Sequence, residues 1–209
     1  MPTINVAPTR SNLIRVKKDL QFAREGYEIL DRKREVLTTE LVRVAHEAEE
    51  IQQKVWKTLA AAYSAMEKAR LTMGRDHVEW AALAANKTVD LHLKFRGIMG
   101  VAIPVIEASG KPQAVPYSLD DTSAALDEAS AGFREVLILM PQLAMLVTTV
   151  WRLAGELRKT QRRVNALQHI FIPAFEDTAA FIISSLEERE REETFRLKWL
   201  KTKLTRSTA

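Results

Sequence analysis

The chain has no cysteine. That excludes a disulfide framework, a thiolate metal site and cysteine catalysis, and it suits a reducing compartment. Glycine and proline are also scarce, at seven each in 209 residues. Both fall below average usage, which leans toward helix. No sign of charge dominates: 31 Lys and Arg against 27 Asp and Glu leave a net charge of +4. Such a balance lacks the concentrated basic patch of a nucleic-acid binder. Uninterrupted apolar runs are missing as well. The longest, from Val136 to Trp151, contains Pro141, Gln142, Thr148 and Thr149, whereas a membrane-spanning helix needs about 20 apolar residues. The start, Met1-Pro2-Thr3-Ile4-Asn5, has neither the charged nor the apolar region of a secretory leader. The sequence reads as soluble.

What is present is a long helical repeat. From Thr9 to Met73 there is no proline and a single glycine, Gly26. Pro8-Thr9-Arg10-Ser11 reads as a helix start and Met73-Gly74 as a stop. A heptad frame runs through Leu13, Val16, Leu20, Ala23, Tyr27, Leu30, Leu37, Leu41, Val44, Ala48, Ile51, Val55, Ala62 and Ala65. Only Arg34 and Thr58 interrupt it. A stripe sustained over about eight heptads predicts a coiled coil. A second helix is expected from the capping cluster Ser118-Leu119-Asp120-Asp121. Its frame is Leu126, Ala129, Phe133, Val136, Met140, Leu143, Val147, Val150, Ala154, Leu157, Gln161 and Val164, after which the stripe changes frame to Leu167, Phe171, Ala174, Thr178 and Phe181, a slip that locally overwinds or underwinds the supercoil. Pro141 and Pro173 should kink it. At 1.5 Å per residue the helices are roughly 97 and 130 Å long, so an antiparallel pair leaves a C-terminal tip without a partner. Leu13, Leu20, Leu37 and Leu41 are expected to pack against residues 160–190. Gly26 suggests a close helix approach.

Between the helices lies an insert, 74–117. Thr88 to Arg96 alternates polar and apolar, and Gly100 to Ile106 is a second candidate strand, with Gly97 to Gly100 as the turn. Two strands alone are marginal and must lean on something. The fold class is therefore all-α dominated: a long antiparallel two-helix coiled coil with a short central insert containing a β-hairpin. Its parts are 1–73, 74–117 and 118–209.

The stretch 136–151 carries more apolar residues than one seam uses, among them Leu137, Ile138, Leu139, Ala144, Met145 and Leu146. A helix apolar all round is buried. Either the insert folds back over this stretch or a second chain covers it, and the reading favours a second chain.

The wording of several segments is specific. Ala7-Pro8-Thr9-Arg10-Ser11-Asn12-Leu13 is followed by Ala23-Arg24-Glu25-Gly26-Tyr27-Glu28-Ile29-Leu30 and Lys33-Arg34-Glu35-Val36-Leu37. The hairpin contains Ile98-Met99-Gly100-Val101. The second helix holds Thr160-Gln161-Arg162-Arg163-Val164-Asn165-Ala166-Leu167, Ile172-Pro173 and Glu188-Arg189-Glu190-Arg191-Glu192-Glu193-Thr194-Phe195-Arg196-Leu197-Lys198. In order and spacing these resemble the D subunit of the V-type (archaeal/vacuolar-type) rotary ATPases and ATP synthases.

The resemblance implies a central-stalk rotor axle. Such an axle turns inside the hexamer of A and B subunits, binds the F subunit and rests on the subunit capping the membrane rotor ring. It would be cytoplasmic and peripheral to the membrane. The F-subunit site is then expected at Ile51, Val55, Trp56, Leu139, Met145 and Leu146, and contacts with the catalytic hexamer at Arg162, Arg163, Phe195, Trp199, Lys201 and Lys203. The basic residues Arg158, Lys159, Arg162 and Arg163 form one stripe, read either as such a contact or as a solvated face. The alternative to the axle is a stand-alone coiled-coil scaffold or tether without an ATPase partner.

No catalytic, cofactor or metal site is expected. Gly97-Ile98-Met99-Gly100 lacks the Lys-Ser/Thr ending of a phosphate loop. The four histidines, at 46, 77, 92 and 169, are too scattered for metal spacing. The acidic run 187–193 reads as a solvated helix laced with ion pairs.

Overall fold

The structure is a computed structural model that describes residues 6–83, 90–109, 117 and 122–207. In chain order, α1 (Arg10–Met73) is followed by α2 (Arg75–Leu83), β1 (Asp90–Ile98), β2 (Val101–Ser109) and α3 (Ala124–Ala166). A π-turn (Leu167–Phe171) then leads into α4 (Ile172–Ser207). The expected class holds. The expected cap Ser118–Asp121 and the first strand residues Thr88 and Val89 lie outside the described residues.

Local chemistry sets the boundaries of α1. The Thr9 hydroxyl accepts the Asn12 amide at 3.3 Å, which satisfies a donor at the helix start. At the other end the Gly74 amide donates to the Arg70 carbonyl at 3.0 Å, with φ +83° at Gly74. That left-handed exit favours glycine. The nine-residue helix α2 is not foreshadowed by the sequence pattern. It carries an Arg75–Glu79 pair at 2.7 Å and buries Val78 against Ala69 and Leu126.

The stripe on α1 is where the periodicity puts it. Val16, Ala23, Leu37, Val44, Ala48, Ile51, Val55, Ala62 and Ala65 are all buried. Arg34, one of the two interruptions, is half-buried and pairs with Asp31 at 2.6 Å.

On α3 half of the expected frame moves. Ala129, Val136, Leu143, Val150, Leu157 and Val164 line the seam or lie half-buried beside it. The other half shifts one residue earlier, to Leu139, Leu146, Leu153 and Thr160 in place of Met140, Val147, Ala154 and Gln161. Burial explains the choice: Leu146 and Leu153 fill the seam, whereas Met140 and Val147 remain exposed.

Packing divides the chain into two compact units: residues 36–157, and residues 1–35 with 158–209. In the first, Leu37 to Val55 of α1 join Val136, Leu146 and Leu153 of α3, together with Val101 and Ile103 of β2, in one core. Leu37 and Leu41 belong to the same core as Leu153 and Leu157. The helices approach closely where Gly132 faces Ala62. A Cβ on Gly132 would stand 2.9 Å from the Ala62 Cβ and 3.2 Å from its Cα. Gly26, expected at a close approach, has nothing within 4 Å of such a Cβ.

In the second unit, Val16 packs with Ala179 and Ile182, flanked by Leu13, Phe175 and Leu186. Arg10–Glu190 at 2.5 Å and Arg24–Glu176 at 2.6 Å give the pairing its antiparallel sense.

The hairpin is antiparallel, with Ile98 opposite Val101 and Asp90 opposite Ser109. Met99 and Gly100 form a two-residue turn, at φ 48° and 81°. A two-residue hairpin turn with both residues at positive φ matches the twist of the strands it joins. The hairpin leans on α3. Val101 and Ile103 enter the core, the Arg152 guanidinium donates to the Ala102 carbonyl at 2.7 Å, and it sits 5.5 Å from the Phe95 ring centre. The insert thus covers part of the apolar stretch for which a second chain was the favoured cover.

Candidate functional site

Within residues 36–157 the seam fixes which side of each helix is which, because side chains three and four apart share a face. Met145, Thr149 and Arg152 lie on the hairpin side of α3. Met145 packs against the core that includes Val101 and Ile103, and Arg152 touches the hairpin backbone. Away from the hairpin α3 presents Phe133, Leu137, Met140, Ala144, Val147 and Trp151. The same side of α1 carries Val42, Trp56 and Tyr63. Tyr63 and Phe133 meet edge-to-face with ring centres 5.4 Å apart, which joins the two rows into one surface.

That surface is apolar and open. Trp56 is 62% exposed, Trp151 75% and Met140 45%, with Val42, Tyr63, Leu137 and Val147 also exposed. It accounts for an 18-residue window within Ala124–Lys203 whose mean hydropathy of 1.7 would suit a membrane span. The run 136–151 reads in sequence as too interrupted for that. The window is apolar on two sides: one forms the seam and hairpin contact, the other this face. Exposed apolar surface of this extent and continuity marks an interaction site.

The residues expected to bind a partner here do not share one surface. Trp56 stands on the open face. Ile51, Val55 and Leu146 are buried in the seam, Leu139 is half-buried beside it, and Met145 turns toward the hairpin. A one-residue error in the α3 frame selected seam positions over outward ones. Tyr63, Leu137, Met140, Val147 and Trp151 are the residues that the corrected frame supplies.

The residues expected to touch a hexamer lie in the other unit. Arg162 and Arg163 are exposed on α3. From Glu187 to Lys203 every side chain of α4 is exposed. Phe195 is 71% exposed, with Leu197, Trp199 and Leu200 also open. Lys203 Nζ lies 4.2 Å from the Trp199 ring centre, a cation–π contact. Leu71, Trp80 and Leu83, near the α1–α2 junction, form a further set of exposed apolar side chains.

Comparison with known proteins identifies the family. The family model for the ATP synthase D subunit matches residues 12–202. The D subunit of a V-type ATP synthase from Thermotoga neapolitana is 41% identical over 203 residues, covering 97% of this chain and 100% of that protein. The D subunit of an A-type ATP synthase from Methanopyrus kandleri is 37% identical, covering 97% and 88%. The second V-type ATP synthase D subunit of Treponema pallidum is 38% identical, covering 95% of each. The chain belongs to the ATP synthase D-subunit family.

For a D subunit, exposed helix faces are interpretable as parts of an assembly that makes or uses ATP. Among the described residues no group of three or more His, Asp or Glu is placed to hold a metal ion. The perturbed titrations belong to local pairs. The side-chain bond from Lys94 holds the exposed Glu107 carboxyl below its usual range, and Arg75 does the same to Glu79. Burial, aided by a 2.7 Å bond from the Tyr117 hydroxyl to Asp127, pushes the Tyr117 phenol up. Tyr117 packs with the Ala69, Val78 and Leu126 cluster, so this shift has a structural cause.

Proposed function

We propose that this D subunit is the central rotor shaft of its complex. It is a non-catalytic subunit that couples ATP hydrolysis or synthesis in the A/B hexamer to H⁺ or Na⁺ translocation by the membrane rotor ring. The observation that carries this reading is the sidedness of the antiparallel helix pair. A buried seam supplies stiffness, one apolar face of residues 36–157 is left for a permanently held partner, and the surface of residues 158–203 mixes charged side chains with exposed apolar ones such as Phe181, Phe195 and Trp199. The mechanism is mechanical. An asymmetric shaft meets the three catalytic interfaces of the hexamer differently, so nucleotide-driven changes at those interfaces alter which orientation is best and the shaft steps round.

In this reading the F subunit covers Trp56, Tyr63, Leu137, Met140, Val147 and Trp151. Arg162, Arg163, Phe195, Trp199, Lys201 and Lys203 run against the hexamer bore, with the C-terminal tip as a bearing. Leu71, Trp80 and Leu83 seat on the subunit capping the membrane ring. The chain is held at the membrane through that assembly, on its cytoplasmic side. The test is reconstitution. Mixed with A, B and F subunits, the chain should enter a defined complex and raise its ATP turnover. A chain that co-elutes with none of them would be a free tether and would overturn the reading.

A further inference from the structure

The helix that begins as α3 changes its winding once. In the turn Leu167–Phe171 the Ile172 amide donates to the Leu167 carbonyl, five residues back, where an α-helix reaches four. Two residues beyond the turn stands Pro173. A proline within a helix has no N–H, and its ring presses on the carbonyl four residues earlier, which is that of His169. The wider turn makes room there. None of the residues Leu167–Phe171 is buried.

The turn also resets the seam. Thr160 and Val164 are buried before it, and Ala179 and Ile182 after it, with Phe175 half-buried. Heptad spacing continued from Val164 would select Phe171, Ala174, Thr178 and Phe181. Thr178 is buried as that spacing requires, yet Phe171 and Phe181 are exposed, and Phe175, Ala179 and Ile182 set the seam one residue later. One residue has been inserted, and the π-turn houses it. Two features make this place softer than the helix on either side. It has a missing backbone donor, and it has an amide, that of Ile172, with an alternative acceptor one residue along at Gln168.

We propose that the Leu167–Phe171 π-turn with Pro173 is a soft joint, where the helix opens and twists locally while the flanking seam stays closed. Its use as a torsional joint of the shaft rests on the rotor reading. Its local opening does not.

The test is hydrogen exchange on the full chain assembled with its A, B and F partners, alongside a variant that lacks His169 and carries Pro173→Ala. That deletion removes the surplus residue, so a continuous α-helix keeps Phe175, Ala179 and Ile182 in the seam. In the unaltered chain, amides 170–176 (Pro173 aside) should exchange at least about tenfold faster than those of 158–164, since local opening is read as lost protection. In the variant that difference should vanish with the melting temperature held or raised, and the shaft should be torsionally stiffer in single-molecule rotation. Equal protection of the two segments in the unaltered chain would overturn the joint even if the variant failed to fold. Failure of the complex to rotate would contradict the rotor reading and leave the exchange result standing.

Discussion

The two compact units are built on the same helix pairing and finish their surfaces differently. In residues 36–157 the seam is broad: Leu37, Ile51, Val55, Leu146 and Leu153 form one core with the hairpin's Val101 and Ile103, and a second apolar face remains open. In residues 1–35 with 158–209 the core is thin, centred on Val16, Ala179 and Ile182. There, exposed ion pairs such as Arg10–Glu190 and Arg24–Glu176 tie the two helices together. In the proposed rotor, a surface that holds a partner and a surface that slides past one need different chemistry. Apolar side chains suit the first, and exposed charges, whose pairs contribute only about 0–1 kcal/mol each, suit the second, where they stand among exposed apolar side chains such as Phe181, Phe195 and Trp199.

The contrast can be broken most forcefully at the broad core. Leu37→Asp with Leu41→Asp should abolish cooperative melting of residues 36–157, because burying charge in place of leucine adds to the roughly 2–5 kcal/mol that Leu→Ala costs in a core. Thermal unfolding followed by circular dichroism reads this directly. Gly132→Val should cost about 1–3 kcal/mol, since its side chain would drive into Ala62 and push the helices apart. Gly26→Ala should do the opposite. With open space at that position, it should stabilise by about 0.5–1 kcal/mol as the helix loses a flexible residue. Chemical denaturation of the two glycine variants side by side would show opposite signs. Arg24→Ala should change stability by no more than about 1 kcal/mol, and that difference should shrink with added salt. The smallest effect is at Tyr117. Because its phenol is pushed up in the fold, the stability it contributes is present below its ordinary value near pH 10 and is lost as pH rises past it. Tyr117→Phe should remove that alkaline dependence and little else.

Much of this was legible in the sequence, for reasons that differ along the chain. The α1 stripe could be read because its heptad spacing is unbroken: Leu37, Val44 and Ile51 recur every seven residues. On α3 the neighbours Leu139 and Met140, or Leu146 and Val147, are both apolar, so periodicity alone could not choose the frame. Packing against the hairpin and α1 chose it. That ambiguity is the mark of the open face, because a helix apolar beyond its seam carries a second apolar surface. The helix α2 escaped notice because nine residues with one buried side chain, Val78, carry too little periodicity. The frame change after Val164 was legible in the spacing of the stripe, close to Pro173. The inserted residue needed a backbone to show it.

The account's central claim is that the face opposite the hairpin holds a partner subunit while contributing little to the fold of the chain itself. The most direct measurement is the affinity of the isolated F subunit for the chain carrying Met140→Glu and Trp151→Glu, read by calorimetry beside the melting temperature of the same variant. The account predicts binding weakened by about 100-fold or more, as when central aromatic anchors of an interface are lost, with melting unchanged or slightly raised. Binding as tight as that of the unaltered chain would contradict it.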